Sequence, residues 1–384
     1  MSGGMPGAVL NGTAAHETSS GGPRPVTRSE PVLAPRGSAG GGPGRVLVAR
    51  LDDAGDVLLA GPAVRAVRAG SREVVFLAGP NGAAAARLLP GVDRVIVWRA
   101  PWIDHSPLPL TAGHVDDLVG RLRGVDEAVI LTSFHQSALP LALLLRLAGV
   151  SRITAISNDY PGALLDVRQV WDESADVPEA ERMLAVARAA GFELPPGDDG
   201  KLAVQRPLPD IGQDLGHLLG VGAEADEGAY VVVHPGTSAP ARTWPADRHR
   251  EAVRELADDG HRVVVTGNER ELTAYVASGA AVDLGGRTTF AQLAAVLERA
   301  GVLVAGNTGP AHLAAAVGTP VVSLFAPVVP AARWAPYGVP TVLLGDQQAP
   351  CAASRARTCP VPGHPCLSQV TSEQVVKAVR ELTQ

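Results

Sequence analysis

The sequence predicts an α/β protein made of two doubly wound, Rossmann-like domains that face each other across a cleft. Three observations carry this. Short apolar runs alternate with helical spacings from Arg45 to Ile156, the alternation weakens between Asp166 and Glu227, and it restarts at Tyr230 and continues to Phe325. The apolar runs are continuous rather than alternating, as in parallel sheets covered on both faces. With 46% hydrophobic and 19% charged residues over 384 positions, the chain has enough apolar surface for two cores.

The elements follow in order. Residues 1–44 are rich in Gly, Pro, Ser and Thr and show no hydrophobic period, so a disordered extension is expected. They also lack the basic start and apolar core of a signal peptide. The first domain is expected over 45–205. Val46-Leu47-Val48-Ala49 reads as a strand, Asp52 to Gly55 as a turn and Val57 to Val67 as a helix. Strands then fall at Glu73 to Ala78, Arg94 to Trp98, Ala128 to Thr132 and Arg152 to Ile156. Helices fall at Asn81 to Leu89, His114 to Leu122, Ser137 to Leu147 and Glu179 to Ala190. Pro195-Pro196-Gly197 and Pro207-Leu208-Pro209 punctuate the way to a linker over 206–228.

The second domain is expected over 229–370. Its strands read at Tyr230 to Val233, Arg262 to Thr266, Val282 to Leu284, Val302 to Ala305 and Val321 to Phe325. Its helices read at Ala246 to Ala257, Glu269 to Ala277, Phe290 to Arg299 and His312 to Val317. Residues 371–384 form an amphipathic helix, with Val375, Val376, Val379 and Leu382 on one side, which could pack back on the N-terminal domain.

Composition excludes several functions. Asp+Glu 39 against Lys+Arg 33 leaves a net charge of −6, a poor match to nucleic acid, and aromatics at 4% argue against base-stacking platforms. Three cysteines suit a reducing cytoplasm rather than a disulfide scaffold. The longest apolar stretch, Ala138 to Val150, contains Arg146 and is shorter than the ~20 residues a bilayer needs.

Four segments carry chemistry, each after a strand, where ligands of open α/β sheets bind. In Arg50-Leu51-Asp52-Asp53-Ala54-Gly55-Asp56-Val57, Gly55 permits a tight turn and Asp56 starts the helix. A carboxylate there can take a proton from a substrate hydroxyl, or it can simply cap the helix. G-x-G-x-x-G is missing here, so no dinucleotide fingerprint is present. In His234-Pro235-Gly236-Thr237-Ser238, the glycine and two hydroxyls can approach a phosphate, and Arg242 can neutralise it with a forked contact. A plain strand–helix loop explains the segment equally well. Gly306-Asn307-Thr308-Gly309-Pro310-Ala311-His312 is a glycine-rich turn entering a helix. Its free N–H groups and dipole favour an anion, with Thr308 as a further donor and His312 in the first turn. Glu269, after Gly267-Asn268, could bind ribose hydroxyls or cap its helix. Cys351, Cys359, Cys366 and His364 do not have ribbon or knuckle spacing and read as buried or loop thiols rather than a zinc site.

At these residues the sequence resembles glycosyltransferase family 9, the family of ADP-heptose:lipopolysaccharide heptosyltransferases. The resemblance rests on Gly55-Asp56, on His234-Pro235-Gly236 with Arg242 and Trp244-Pro245, and on Thr308-Gly309-Pro310 with His312-Leu313-Ala314. Cys359-Pro360 followed by His364-Pro365-Cys366 completes it. It implies a GT-B fold, with the acceptor on the first domain and a nucleotide-sugar donor, ADP-linked, on the second. It implies inverting, metal-independent transfer without a cofactor to a glycan, lipid-linked or small-molecule acceptor. It also implies a cytoplasmic setting with at most peripheral membrane contact, and no nucleic-acid partner. By the same resemblance Asp56 is the general base, and Arg242 with Thr237 and Ser238 flanks the donor diphosphate. Glu269 is near the adenosine ribose, Thr308, Gly309 and His312 form the diphosphate turn, and Asn307 lies at the donor site near the sugar. The sequence departs from the family in three places. Asn307 stands where Asp is common, Ser133 to Gln136 lacks a common Asp, and the first domain is not basic. The residues by themselves leave open a non-catalytic nucleotide-sugar-binding module or a nucleotide-sugar epimerase.

Overall fold

The computed structural model describes residues 43–104, 106–211 and 230–384. Nearly all of the extension expected over 1–44, and most of the linker expected over 206–228, lie outside the described residues.

The first sheet has six parallel strands: β1 (Arg45–Arg50), β2 (Glu73–Ala78), β3 (Arg94–Val97), β4 (Glu127–Ile130), β5 (Arg152–Ile156) and β6 (Val167–Gln169). Their spatial order is β3-β2-β1-β4-β5-β6. The second sheet repeats the arrangement with β7 (Val231–His234), β8 (Val263–Val265), β9 (Val282–Asp283), β10 (Val302–Gly306), β11 (Val321–Leu324) and β12 (Thr341–Leu344). Its order, β12-β11-β10-β7-β8-β9, is the same 3-2-1-4-5-6 winding. Two Rossmann-like sheets of this kind are the architecture that the GT-B resemblance implies. In each half the order reverses between the first and fourth strands, β1/β4 and β7/β10, and a crevice opens beyond their carboxyl ends. β1 shows why these segments are strands. Val46, Leu47 and Val48 are fully buried, and their side chains point to both covered faces.

The single helix expected over Val57 to Val67 is two helices, α1 (Ala54–Leu59) and α2 (Gly61–Ala69). Pro62 has no N–H to continue the first, so the chain restarts with proline in the opening turn. The helix expected from Asn81 to Leu89 contracts to α3 (Ala83–Ala86). Leu88 and Leu89 bond back only three residues, to Ala85 and Ala86, tightening the turn ahead of Pro90. Further helices are α4 (Ala112–Leu122), α5 (Leu139–Leu147), α6 (Glu179–Ala189), α7 (Ala246–Asp258), α8 (Arg270–Ala277), α9 (Phe290–Glu298) and α10 (Gly309–Val317). After them come α11 (Ala331–Trp334), α12 (Pro365–Ser368) and α13 (Ser372–Thr383).

The expectation that the C-terminal helix packs back on the first domain does not hold. α13 lies against α7 and the second sheet, its Val375 and Val379 fully buried in the same cluster as Val253, Leu256 and Val304. Trp244, buried beside it, donates Nε1–H to Val370 O at 3.2 Å and ties the tail to this half. The helix starts on a capping box of Thr371 and Gln374.

One apolar cluster joins the two halves. It runs from Val46, Val48 and Phe76 through α1, α2 and α6 to Val232, Leu303 and α10. The halves also meet through Arg333, whose Nε donates to Asp176 Oδ1 at 3.0 Å, and through Tyr337, whose hydroxyl donates to Glu181 at 3.1 Å.

Candidate active site

The carboxyl ends of β1 and β4 face those of β7 and β10. β1 closes on Arg50, which is fully buried. A buried guanidinium is tolerated only when paired and hydrogen-bonded, and Arg50 is. Its Nε lies 2.7 Å from Asp52 Oδ2, and its Nη2 donates to Asp56 Oδ1 at 3.0 Å and Ser133 Oγ at 2.8 Å. Its Nη1 donates to Glu179 Oε1 at 3.2 Å. Behind it Arg182 Nη1 donates to the same Glu179 oxygen at 3.2 Å and to Thr132 O at 2.7 Å. Three carboxylates thus share two guanidiniums, and Glu179 and Arg182 are almost wholly buried.

Asp56 is the third residue of α1, not its cap. The N-cap position belongs to Asp53, whose side chain makes no capping bond. The Asp56 side chain is 24% exposed and lines a cavity between the halves. Burial pushes its carboxyl up to about 7, opposed by Arg50 and reinforced by the negative charges of Asp52 and Glu179. Gly55 is not the turn glycine the sequence suggests. It lies within α1, and a Cβ there would sit 2.8 Å from His312 Cδ2 and 3.3 Å from Gly309 Cα. Its missing side chain lets the start of α1 meet the start of α10.

Across the crevice, Thr237 Oγ1 lies 2.6 Å from Thr243 Oγ1 and donates to Ala239 O at 3.0 Å, which stiffens the loop after β7. Arg242 ends a 3-10 turn, and its buried Nε has no protein partner. That turn is bolted to the cysteine-containing loop. Ala241 N donates to Arg357 O at 2.9 Å, Arg357 Nη2 donates to Ser238 O at 3.2 Å, and His364 Nε2 lies 3.1 Å from Ala241 O. Asn307 is buried beyond β10. Thr308 is the N-cap of α10 but makes no capping bond with its side chain. His312 is 4% exposed, and burial with Arg242 nearby pushes it down to about 4, so the ring is neutral at pH 7. Glu269 precedes α8 without capping it, which leaves its exposed carboxylate to the cavity below.

Two adjoining cavities result, of about 580 and 720 Å³. The smaller is lined by Thr237 and Glu269, with Thr289, Phe290 and Leu293 forming a further wall. The larger is lined by Asp56, Arg242, Asn307 and His312. Ser238, Thr308, Gly309 and Arg357 line both. All nine residues singled out from the sequence therefore border one or both cavities. Sequence reasoning passed over Arg357 and Arg355, which sit between Cys351 and Cys359. It also passed over the ion cluster behind Asp56. The latter had a signal: Glu179 and Arg182 fall at i and i+3 on the same buried stripe of α6 as Met183 and Val186. The three cysteines are free thiols, Cys351 and Cys366 buried. Among the described residues no group of three or more His, Cys, Asp or Glu is placed to hold a metal.

No curated protein sequence matches the chain. Solved structures do. A glycosyltransferase of family 9 from Veillonella parvula superposes with a TM-score of 0.71 at 18% identity, covering 88% of this chain and 97% of its own. ADP-heptose lps heptosyltransferase II of E. coli gives 0.67 at 19% identity, covering 88% and 98%. E. coli heptosyltransferase WaaC with ADP-2-deoxy-2-fluoro heptose gives 0.63 at 20%, covering 88% and 99%. At these identities the likeness is one of fold. The profile of glycosyltransferase family 9 (heptosyltransferase) matches residues 120–364, more than half of the sequence, and the chain belongs to that family of glycosyltransferases.

Proposed function

We propose that the chain transfers a heptose or related sugar, with inversion and without a metal ion, from an ADP-linked donor to a hydroxyl of a glycan, glycolipid or small-molecule acceptor. The observation that carries this is Asp56. It is a carboxylate pushed up to about 7 that borders the larger cavity beside the residues shared with the smaller one. Binding alone would not need such a group. The smaller cavity suits the nucleotide. Phe290 and Leu293 offer an apolar wall for a base, and Glu269 offers a carboxylate for ribose hydroxyls. The diphosphate then lies at the start of α10, within reach of Thr308, Arg242 and Arg357. The WaaC structure holds an ADP-sugar analogue, which supports the same donor class.

The reaction is a single displacement. As the acceptor oxygen bonds to the anomeric carbon, its proton passes to Asp56. The bond from that carbon to the phosphate oxygen breaks on the opposite face, and its electron pair leaves with the diphosphate. Arg242, Arg357 and the N–H groups of α10 stabilise the leaving charge, the part a metal ion plays elsewhere. On this reading the first half, with Asp56, presents the acceptor and the second half holds the donor. Among the described residues no helix is long and apolar enough to cross a membrane. We place the reaction in the cytoplasm, where nucleotide sugars are made.

Calorimetry with ADP, joined to turnover of an ADP-sugar, tests the reading. Arg242→Ala should weaken ADP by about 1.5–3 kcal/mol. Asp56→Asn should lower kcat by ~10²–10⁴-fold while ADP affinity survives. Chelator should leave turnover intact. A strict Mg²⁺ requirement, or full turnover in Asp56→Asn, refutes the mechanism.

A further inference from the structure

The larger cavity is wider than a transferred sugar needs, and the walls it does not share with the smaller cavity have a distinct chemistry. Trp102 from the first half and Trp334 from the second both line it, with Phe134 between the cationic side chains of the second half. The indole N–H of Trp334 is buried and has no protein partner. Aromatic walls suit a ring that has an apolar C–H face.

The charges on these walls do not gather to hold a polyanion. Asp52, Asp53 and Asp104 border the cavity, Asp52 held by Arg50 at 2.7 Å and Asp104 by Arg99 at 2.8 Å. Of the three guanidiniums on its wall, Arg242 and Arg357 stand with the residues that flank the proposed diphosphate position. Arg355 remains, its guanidinium centred 3.8 Å from the Phe134 ring. Arg333 also approaches that ring, but it is held by Asp176 and the carbonyl of Glu173. His135 adds no charge at pH 7, since burial and the neighbouring Arg355 keep it below its ordinary value. A phosphorylated acceptor needs clustered cations to hold its phosphates. Here, beyond the residues of the proposed diphosphate position, it would meet one stacked arginine.

We propose that the acceptor is an unphosphorylated saccharide, neutral or amino-bearing, with one ring stacked on Trp102 or Trp334. This rests on the glycosyltransferase reading and names its acceptor class. The test is saturation-transfer NMR on the full chain, with and without ADP, using methyl β-glucoside, glucosamine and glucose 6-phosphate as probes. Methyl β-glucoside and glucosamine should give signals at millimolar concentration, and glucose 6-phosphate should not. Trp334→Ala or Trp102→Ala should weaken the glycoside by about fivefold. A stronger signal from glucose 6-phosphate than from methyl β-glucoside overturns the proposal. So does the absence of signal from both uncharged and amino sugars, or an unchanged glycoside affinity in both tryptophan variants. The comparison of probes uses the wild-type chain, so it does not depend on either variant folding. ADP binding followed alongside by calorimetry separates the two readings. Its loss counts against the donor site, while the sugar comparison made at saturating ADP, with Arg242 and Arg357 occupied, reports on the acceptor walls.

Discussion

Asp56 and Arg50 set each other's chemistry, and the groups around them decide the balance. Asp52 and Arg50 come from β1 and its loop, Glu179 from α6, Arg242 from the turn after β7, and the neutral His312 from α10. A base that must be ionised works only above its own titration, here about 7. Below that point kcat/KM should fall about tenfold per pH unit. Glu179 has no access to either cavity, yet its negative charge opposes ionisation of Asp56 and competes for Arg50. Glu179→Gln removes that charge while keeping an oxygen for Arg50. The acid limb of the pH–rate profile should therefore move to lower pH. A limb that stays in place would reduce Glu179 to packing. This cluster was only partly legible in the sequence. Asp56 is found by its position after a strand, but the partner that tunes it lies 129 residues from Arg50, a pairing no local pattern reveals.

Among elements, α13 has the clearest energetic signature. Its stripe of Val375, Val376 and Val379 closes the core on the outer side of the second sheet. Val379→Ala should destabilise this half by about 1.5–3 kcal/mol, two methyl groups of burial plus the cavity they leave. Urea unfolding followed at Trp244, which shares the cluster, would register it, and an unchanged midpoint would show that the helix is dispensable. The amphipathic stripe told that one face is buried. It did not tell which sheet buries it, because a stripe marks a buried face without naming its partner. The edge strands β6 and β12 were missed for a related reason. Three or four partly exposed residues carry too little period to separate from a loop. The central strands, with their unbroken runs of buried Val, Leu and Ala, were plain.

At the scale of the molecule, the two halves pack together where the start of α1 meets the start of α10. Gly55→Ala would force the His312 ring and the Gly309 backbone away from α1 and displace Asp56 from the donor half. A misplacement near 1 Å costs roughly 10²-fold in rate, so kcat/KM should drop by about that much, and the overpacked contact should lower stability by about 1–3 kcal/mol. Wild-type turnover in Gly55→Ala would mean that the approach has slack.

The apolar cluster that runs unbroken from β1 to β10 gives this meeting a thermal consequence. Any motion that parts the sheets to admit a donor or release a product must wet some of that cluster, and wetting apolar surface raises the heat capacity. A ligand that holds the halves together reverses the exposure. Its binding should then carry a more negative heat-capacity change than its own buried area explains, and the excess measures how far the resting molecule opens.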